Sequence, residues 1–151
     1  MEAEASQLNH GGTSSRSSVN LESAHERLMR DYFADRHVYP PSDFRNKFRM
    51  RKTLFMKVMT NVVQYNQYFL QKSDYIRRLG HTPEMKITVA LCMLAYGKPT
   101  HLNHNYLKIR ETTSKTICMN FYHAINNIYK DDYLQRPTNA DISRILSKAN
   151  K

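Results

Sequence analysis

The chain has 151 residues, 40% of them hydrophobic, with 4 Gly, 5 Pro, 2 Cys and a formal net charge of +10. That size points to one domain, or one compact region plus a tail, with enough chain to bury a core. It argues against a disulfide scaffold, a signal peptide and a membrane span: there are two thiols, the N-terminus is acidic, and the longest apolar run, 89–96, is far too short to cross a bilayer.

The charge is unevenly spread. Up to Asp43 there are four Lys/Arg against seven Asp/Glu; from Phe44 onward there are nineteen against six. Residues 44–73 contain no acid at all. Such asymmetry points to a polyanionic partner, nucleic acid ahead of membrane. Cys92 and Cys118 both fall inside predicted helices and read as reduced, buried thiols of a cytosolic or nuclear protein.

Residues 1–20, rich in Ser, Gly and Ala, are expected to form a disordered tail, and 21–151 an all-α bundle. A helix is predicted over 22–33, with Leu21, Ala24, Leu28 and Tyr32 as its stripe, joined by Met29 and Phe33. Tyr39-Pro40-Pro41 ends that segment. Ser42 can cap a short helix over 43–48 that sets Phe44 and Phe48 on one side. Thr53 can cap a long helix to about Leu70, with Leu54, Val58, Val62, Tyr65 and Phe69 facing the core. Arg45, Lys47, Arg49, Arg51 and Lys52 surround the first rings. Three readings of that basic run stay open: a solvated face, a phosphate-contacting flank, and a nuclear import signal.

A polar connector over 72–81 leads to Thr82-Pro83-Glu84, which combines an N-cap, a proline at the first position and an acid in the first turn. The helix over 82–96 is apolar on nearly every side and so is expected to be central. Gly97 ends it and Pro99 blocks continuation. A short helix over 102–109 and a longer one over 111–129 follow. The longer helix has Ile117, Phe121, Ala124, Ile125 and Ile128 inside, and Lys115, Met119, Tyr122, His123 and Asn126 outside. Asp131-Asp132 breaks the pattern. Thr138 then caps a last helix over 139–149, with Asp141 reciprocating and Ile142, Ile145 and Leu146 packing inward.

Residues 82–130 have the outline of a helix-turn-helix core. A helix that docks in a major groove needs hydroxyls and free N–H groups at its start for phosphates. Thr112, Thr113 and Ser114 fill that role, Lys115 stands beside them, and Lys108 and Arg110 precede them. A purely structural three-helix packing is the competing reading. His101 and His104 could share a face, but a metal site needs two further ligands and no recognised spacing supplies them. There is no Gly-rich phosphate loop, nucleophile elbow or Cys–His pairing, so neither catalysis nor a cofactor is expected.

An ordered set of motifs resembles a known family. It runs from Arg27-Leu28-Met29-Arg30-Asp31-Tyr32-Phe33 through Tyr39-Pro40-Pro41, Phe44-Arg45 and Phe48-Arg49-Met50-Arg51. It continues with Lys86, Ala90, Met93-Leu94-Ala95-Tyr96-Gly97, Tyr106-Leu107, Thr113 and Phe121, and ends at Tyr133-Leu134-Gln135-Arg136-Pro137-Thr138 with Asp141. Together these resemble the N-terminal region of plant Harbinger transposase-derived nucleases, over roughly 23–151. The resemblance implies a helix-turn-helix part that precedes an RNase H-like domain, whose acidic triad binds divalent metal in full-length members. The chain stops about where that domain would begin, so no catalytic acid carries over. The expectation is a nuclear, non-enzymatic module that binds double-stranded DNA. The alternatives are a protein-interaction adaptor with a partner from the transposase-derived family and, only if the chain is a fragment of a longer protein, the front of a nuclease.

Overall fold

The computed structural model describes residues 21–97 and 105–149. The expected tail over 1–20, the first turn of the short helix at Leu102, and His101 and His104 lie outside the described residues. Within them the fold is an all-α bundle, and the single β feature is an isolated bridge between Ser73 and Leu79. Among the described residues no helix is long and apolar enough to cross a membrane.

Helix α1 covers residues 21–28 and widens into a π-helical turn, Met29–Phe33, closed by the Ala34 N–H on the Met29 carbonyl at 2.8 Å. The wider turn coincides with three consecutive buried residues, Asp31, Tyr32 and Phe33.

Helix α2 is Pro41–Phe48. It begins two residues earlier than expected, and Ser42 is not its cap: Pro40 holds the N-cap position and Pro41, with its preset φ, takes the first turn. Helix α3 is Lys52–Tyr65, with Arg51 rather than Thr53 as N-cap. It stops short of Leu70 because the Asn66 side chain accepts the Tyr68 N–H at 2.9 Å and starts a separate 3-10 turn, Gln67–Phe69.

The inward stripe of α3 is also corrected. Val62 and Phe69 are buried as expected and Val58 is half-buried, but Phe55 and Met59 go inside while Leu54 and Tyr65 are 48% and 54% exposed. The cause is an aromatic cluster that claims Phe55: its ring lies 5.1 Å from Phe33, 5.1 Å from Phe48 and 5.7 Å from Phe44. Tyr32 joins it, edge-on to Phe48 at 5.5 Å.

Helix α4, Pro83–Tyr96, has the expected ends. Thr82 accepts the Met85 N–H, and Gly97 closes it at φ 68°, a left-handed position that a side chain would strain. Residues from Met85 through Cys92 are all buried, so this helix is the axis of the bundle. One of them is Lys86, whose Nζ donates to the Tyr68 and Leu70 carbonyls at 2.8 and 2.9 Å. That clamps the end of the 3-10 turn onto α4, and burial pushes the ammonium below its usual range.

The helical turn at 105–107 ends two residues before the expected Ile109. Lys108 takes φ 56°, which lets Leu107 and Ile109 both reach the core. Helix α5, Glu111–Tyr133, buries Ile117, Phe121 and Ala124 as expected and runs straight through Asp131-Asp132 rather than breaking there. Asn61 on α3 donates to the Tyr129 hydroxyl at 2.8 Å, pinning the far half of α5. Of the two thiols, Cys92 is buried and Cys118 only half-buried.

Helix α6 is Asn139–Ala149. Its capping box forms as expected: Asp141 accepts the Thr138 N–H at 3.1 Å and returns its own N–H to the Thr138 hydroxyl at 3.2 Å. Its apolar side, however, is not inside. Ile142, Ile145 and Leu146 are 44%, 60% and 58% exposed, and the helix buries no residue. An apolar groove of about 440 Å³ stays open elsewhere, lined by Val58, Leu91, Leu94, Phe121, Ile125 and Tyr129.

Candidate nucleic-acid interface

The start of α5 holds one group of candidate residues. Arg110 is its N-cap, with extended backbone (φ −68°, ψ 153°) and no side-chain capping bond, so first-turn N–H groups stay available. Lys108, Arg110 and Thr112 are exposed and Thr113 is half-buried. Ser114 is not available: it is 1% exposed and its hydroxyl meets no partner. It sits on the inner side of α5, three residues before buried Ile117, where no phosphate can reach.

Lys115 is exposed and pairs with Glu111 at 2.8 Å, which holds that carboxyl below its usual range. An exposed pair one helical turn apart contributes little, so an incoming phosphate can displace it. Further along the outer face Met119 and Tyr122 are 56% and 55% exposed, and His123 meets the Tyr122 ring edge-on at 5.4 Å.

The turn carrying Lys108 is held by His81, whose imidazole hydrogen-bonds the Lys108 backbone carbonyl. Burial, then the nearby Lys86 ammonium, lowers the His81 pKa below its ordinary 6.5. The folded state therefore takes up a proton less readily than the unfolded chain. Stability is expected to be level above about pH 6.5 and to fall as pH drops from there towards the lowered folded value. Urea midpoints at successive pH values check this, and His81→Gln should flatten the fall. An unchanged slope in that variant would assign the effect elsewhere.

A second group surrounds a cleft of about 600 Å³ between the loop before α2 and the start of α3. Arg45, Arg51 and Lys52 line it, with Tyr39 stacked on Tyr32 at 5.1 Å and 23° as an aromatic wall. Among the described residues neither Arg45 nor Arg51 has a carboxylate partner. Lys52 directs its Nζ to the Phe33 carbonyl at 2.8 Å, which fixes the stem beside the cleft. The first turn of α3 opens here with no side-chain cap, adding backbone N–H groups to the cations. The cleft can therefore receive a phosphate.

Lys47 does not belong to that surface. Its Nζ lies 4.3 Å above the Tyr32 ring and 4.5 Å above Tyr106, and donates to the Tyr32 hydroxyl at 3.2 Å. Burial lowers its pKa, and the same burial pushes the Tyr32 phenol up to about 12. Lys47 is a cation in an aromatic box, not a phosphate contact. Arg49 closes α2 at φ 56° and sets its guanidinium 5.7 Å from the Tyr96 ring.

The box has a partner in Tyr106, whose role the residue pattern did not reveal. Its hydroxyl donates to the buried Asp31 carboxylate, its carbonyl accepts from Arg27, and the Arg27 guanidinium lies 4.6 Å over its ring. This ties α1 to the turn that precedes α5. Tyr39 was also missed as part of the cleft, although an aromatic residue just before a Pro-Pro pair and a basic run is a usable signal. Among the described residues no group of three or more His, Cys, Asp or Glu side chains is placed to hold a metal.

A family model described as Domain of unknown function (DUF8418) matches residues 25–63. That stretch contains Tyr39, Arg45, Arg51 and Lys52, and so the cationic side of the cleft. No curated protein and no solved structure matches the chain.

Proposed function

We propose that this chain is a nuclear, duplex-DNA-binding helical module whose work is binding rather than catalysis. The observation that carries the reading is the cleft: Arg45, Arg51 and Lys52 gather around an uncapped helix start, in a stretch of thirty residues without an acid. Cations there have no internal anion to satisfy, and a phosphate backbone supplies one. Lys108, Arg110, Thr112, Thr113 and Lys115 at the start of α5 add a second set of contacts. A helix-turn-helix over 82–130 would bring that helix to a major groove. The resemblance to the N-terminal part of Harbinger transposase-derived nucleases supports the same reading.

With Lys47 withdrawn, the two groups offer Arg45, Arg51, Lys52, Lys108, Arg110 and Lys115 as phosphate contacts. With about six phosphates neutralised, binding should fall with salt at a log–log slope of about −5.4. Fluorescence anisotropy on a short duplex across a range of salt measures this. A response indifferent to salt would sink the phosphate role.

A protein-interaction adaptor is the second reading, and one observation favours it: the open groove lined by Leu91, Leu94, Phe121 and Ile125. Exchanging Lys108 and Lys115 for Glu separates the two. DNA retention is lost under the first reading and unaffected under the second.

A further inference from the structure

Two apolar surfaces of this chain lack a partner. One is the stripe Ile142, Ile145 and Leu146 on α6; the other is the groove between α3, α4 and α5. Their shapes correspond. The stripe follows the i, i+3, i+4 spacing of a helix that docks in a groove, and the groove is walled by Leu91, Leu94 and Phe121 with Tyr129 further along α5. An isolated helix of 11 residues is marginal in water, so α6 needs a seat to persist. Its own chain does not provide one: the stripe stays exposed while the groove stays open.

We propose that two copies of the chain dock reciprocally, each laying the apolar stripe of α6 in the groove of the other. Area selects a second copy over a foreign partner. A helix of this length is about 16 Å long and about 10 Å across, so half its side covers about 250 Å². With an equal area on the groove, one seat buries about 500 Å², and two reciprocal seats about 1,000 Å², the threshold for a specific interface. A single seat falls short, and two-fold symmetry supplies the second without further sequence. The test of this interface needs no DNA.

Light scattering on the full chain over increasing concentration reads the assembly directly. The wild type is expected to pass from monomer to dimer. Ile145→Asp on the stripe and Leu94→Asp in the groove should each weaken dimerisation by at least about a hundredfold. Both residues are more than half exposed, at 60% and 56%, so the fold should tolerate either change, with helicity by circular dichroism as the control. A wild type that stays monomeric at every soluble concentration overturns the proposal, including the case where α6 folds back on its own groove. A dimer that survives either substitution overturns it as well.

Discussion

Replacing Arg45 and Arg51 together with Glu is expected to weaken duplex binding about two hundredfold at ~50 mM salt and about twentyfold at ~200 mM. The figure follows from counterion release. Each neutralised phosphate contributes a factor of roughly the salt concentration to the power −0.9, about 15 at ~50 mM and about 4 at ~200 mM, and two contacts multiply. The log–log slope should become shallower by about two units, and reversed charge adds repulsion beyond that. Neither arginine has a carboxylate partner among the described residues, and both side chains are exposed, so folding stability should be nearly unchanged. The control is Lys47→Met, a residue of the same basic run that sits in the aromatic box. It should leave the salt slope alone. If Lys47 mattered to DNA as much as the arginines, the cleft would lose its claim to be the contact surface.

The largest expected effect on stability is at Phe48. It is 1% exposed and lies 4.4 Å from the Phe44 ring, 5.1 Å from Phe55 and 5.5 Å from Tyr32. Phe48→Ala should cost about 3–5 kcal/mol, combining lost transfer energy with a cavity that three rigid rings cannot collapse into. Domains of this kind have about 5–15 kcal/mol in total, so the variant should be partly unfolded near body temperature. Phe48→Leu keeps most of the volume and should cost less than half as much. Urea denaturation of the three proteins measures both. A cost under about 1 kcal/mol for Phe48→Ala would mean that α1, α2 and α3 do not depend on this cluster.

The same cluster explains why α3 was misread. Leu54-Phe55-Met56 and Val58-Met59 offer two apolar stripes one residue apart, and helical spacing alone does not choose between them. The rings of Phe33, Phe44 and Phe48 choose, because Phe55 fits among them. Lys47 is a similar case. Next to Arg45 and Arg49 it reads as one more surface cation, and only the Tyr32 and Tyr106 rings, brought together by the fold, draw its ammonium away from that surface. Half of the candidate interface was nevertheless legible. Arg45, Arg51 and Lys52 form a cleft whose residues all lie within a short stretch, so their proximity depends mainly on the local turn into α3.

The chain's residues alone determined where helices begin and end when the signal is local. Thr82-Pro83-Glu84 and Gly97 bound the central helix, and Thr138 with Asp141 starts the last one, because a cap needs only neighbours a few bonds away. They also pointed to this helix as the central one, since a helix apolar on nearly every side has nowhere else to go, although Leu94 near its end is 56% exposed. Tertiary structure alone decided which face of an ambiguous helix turns inward, that Lys47 is drawn against two aromatic rings and Ser114 buried, and that Ile142, Ile145 and Leu146 are left uncovered. Burial belongs to a pair of surfaces rather than to a side chain, and the second surface comes from far away along the chain.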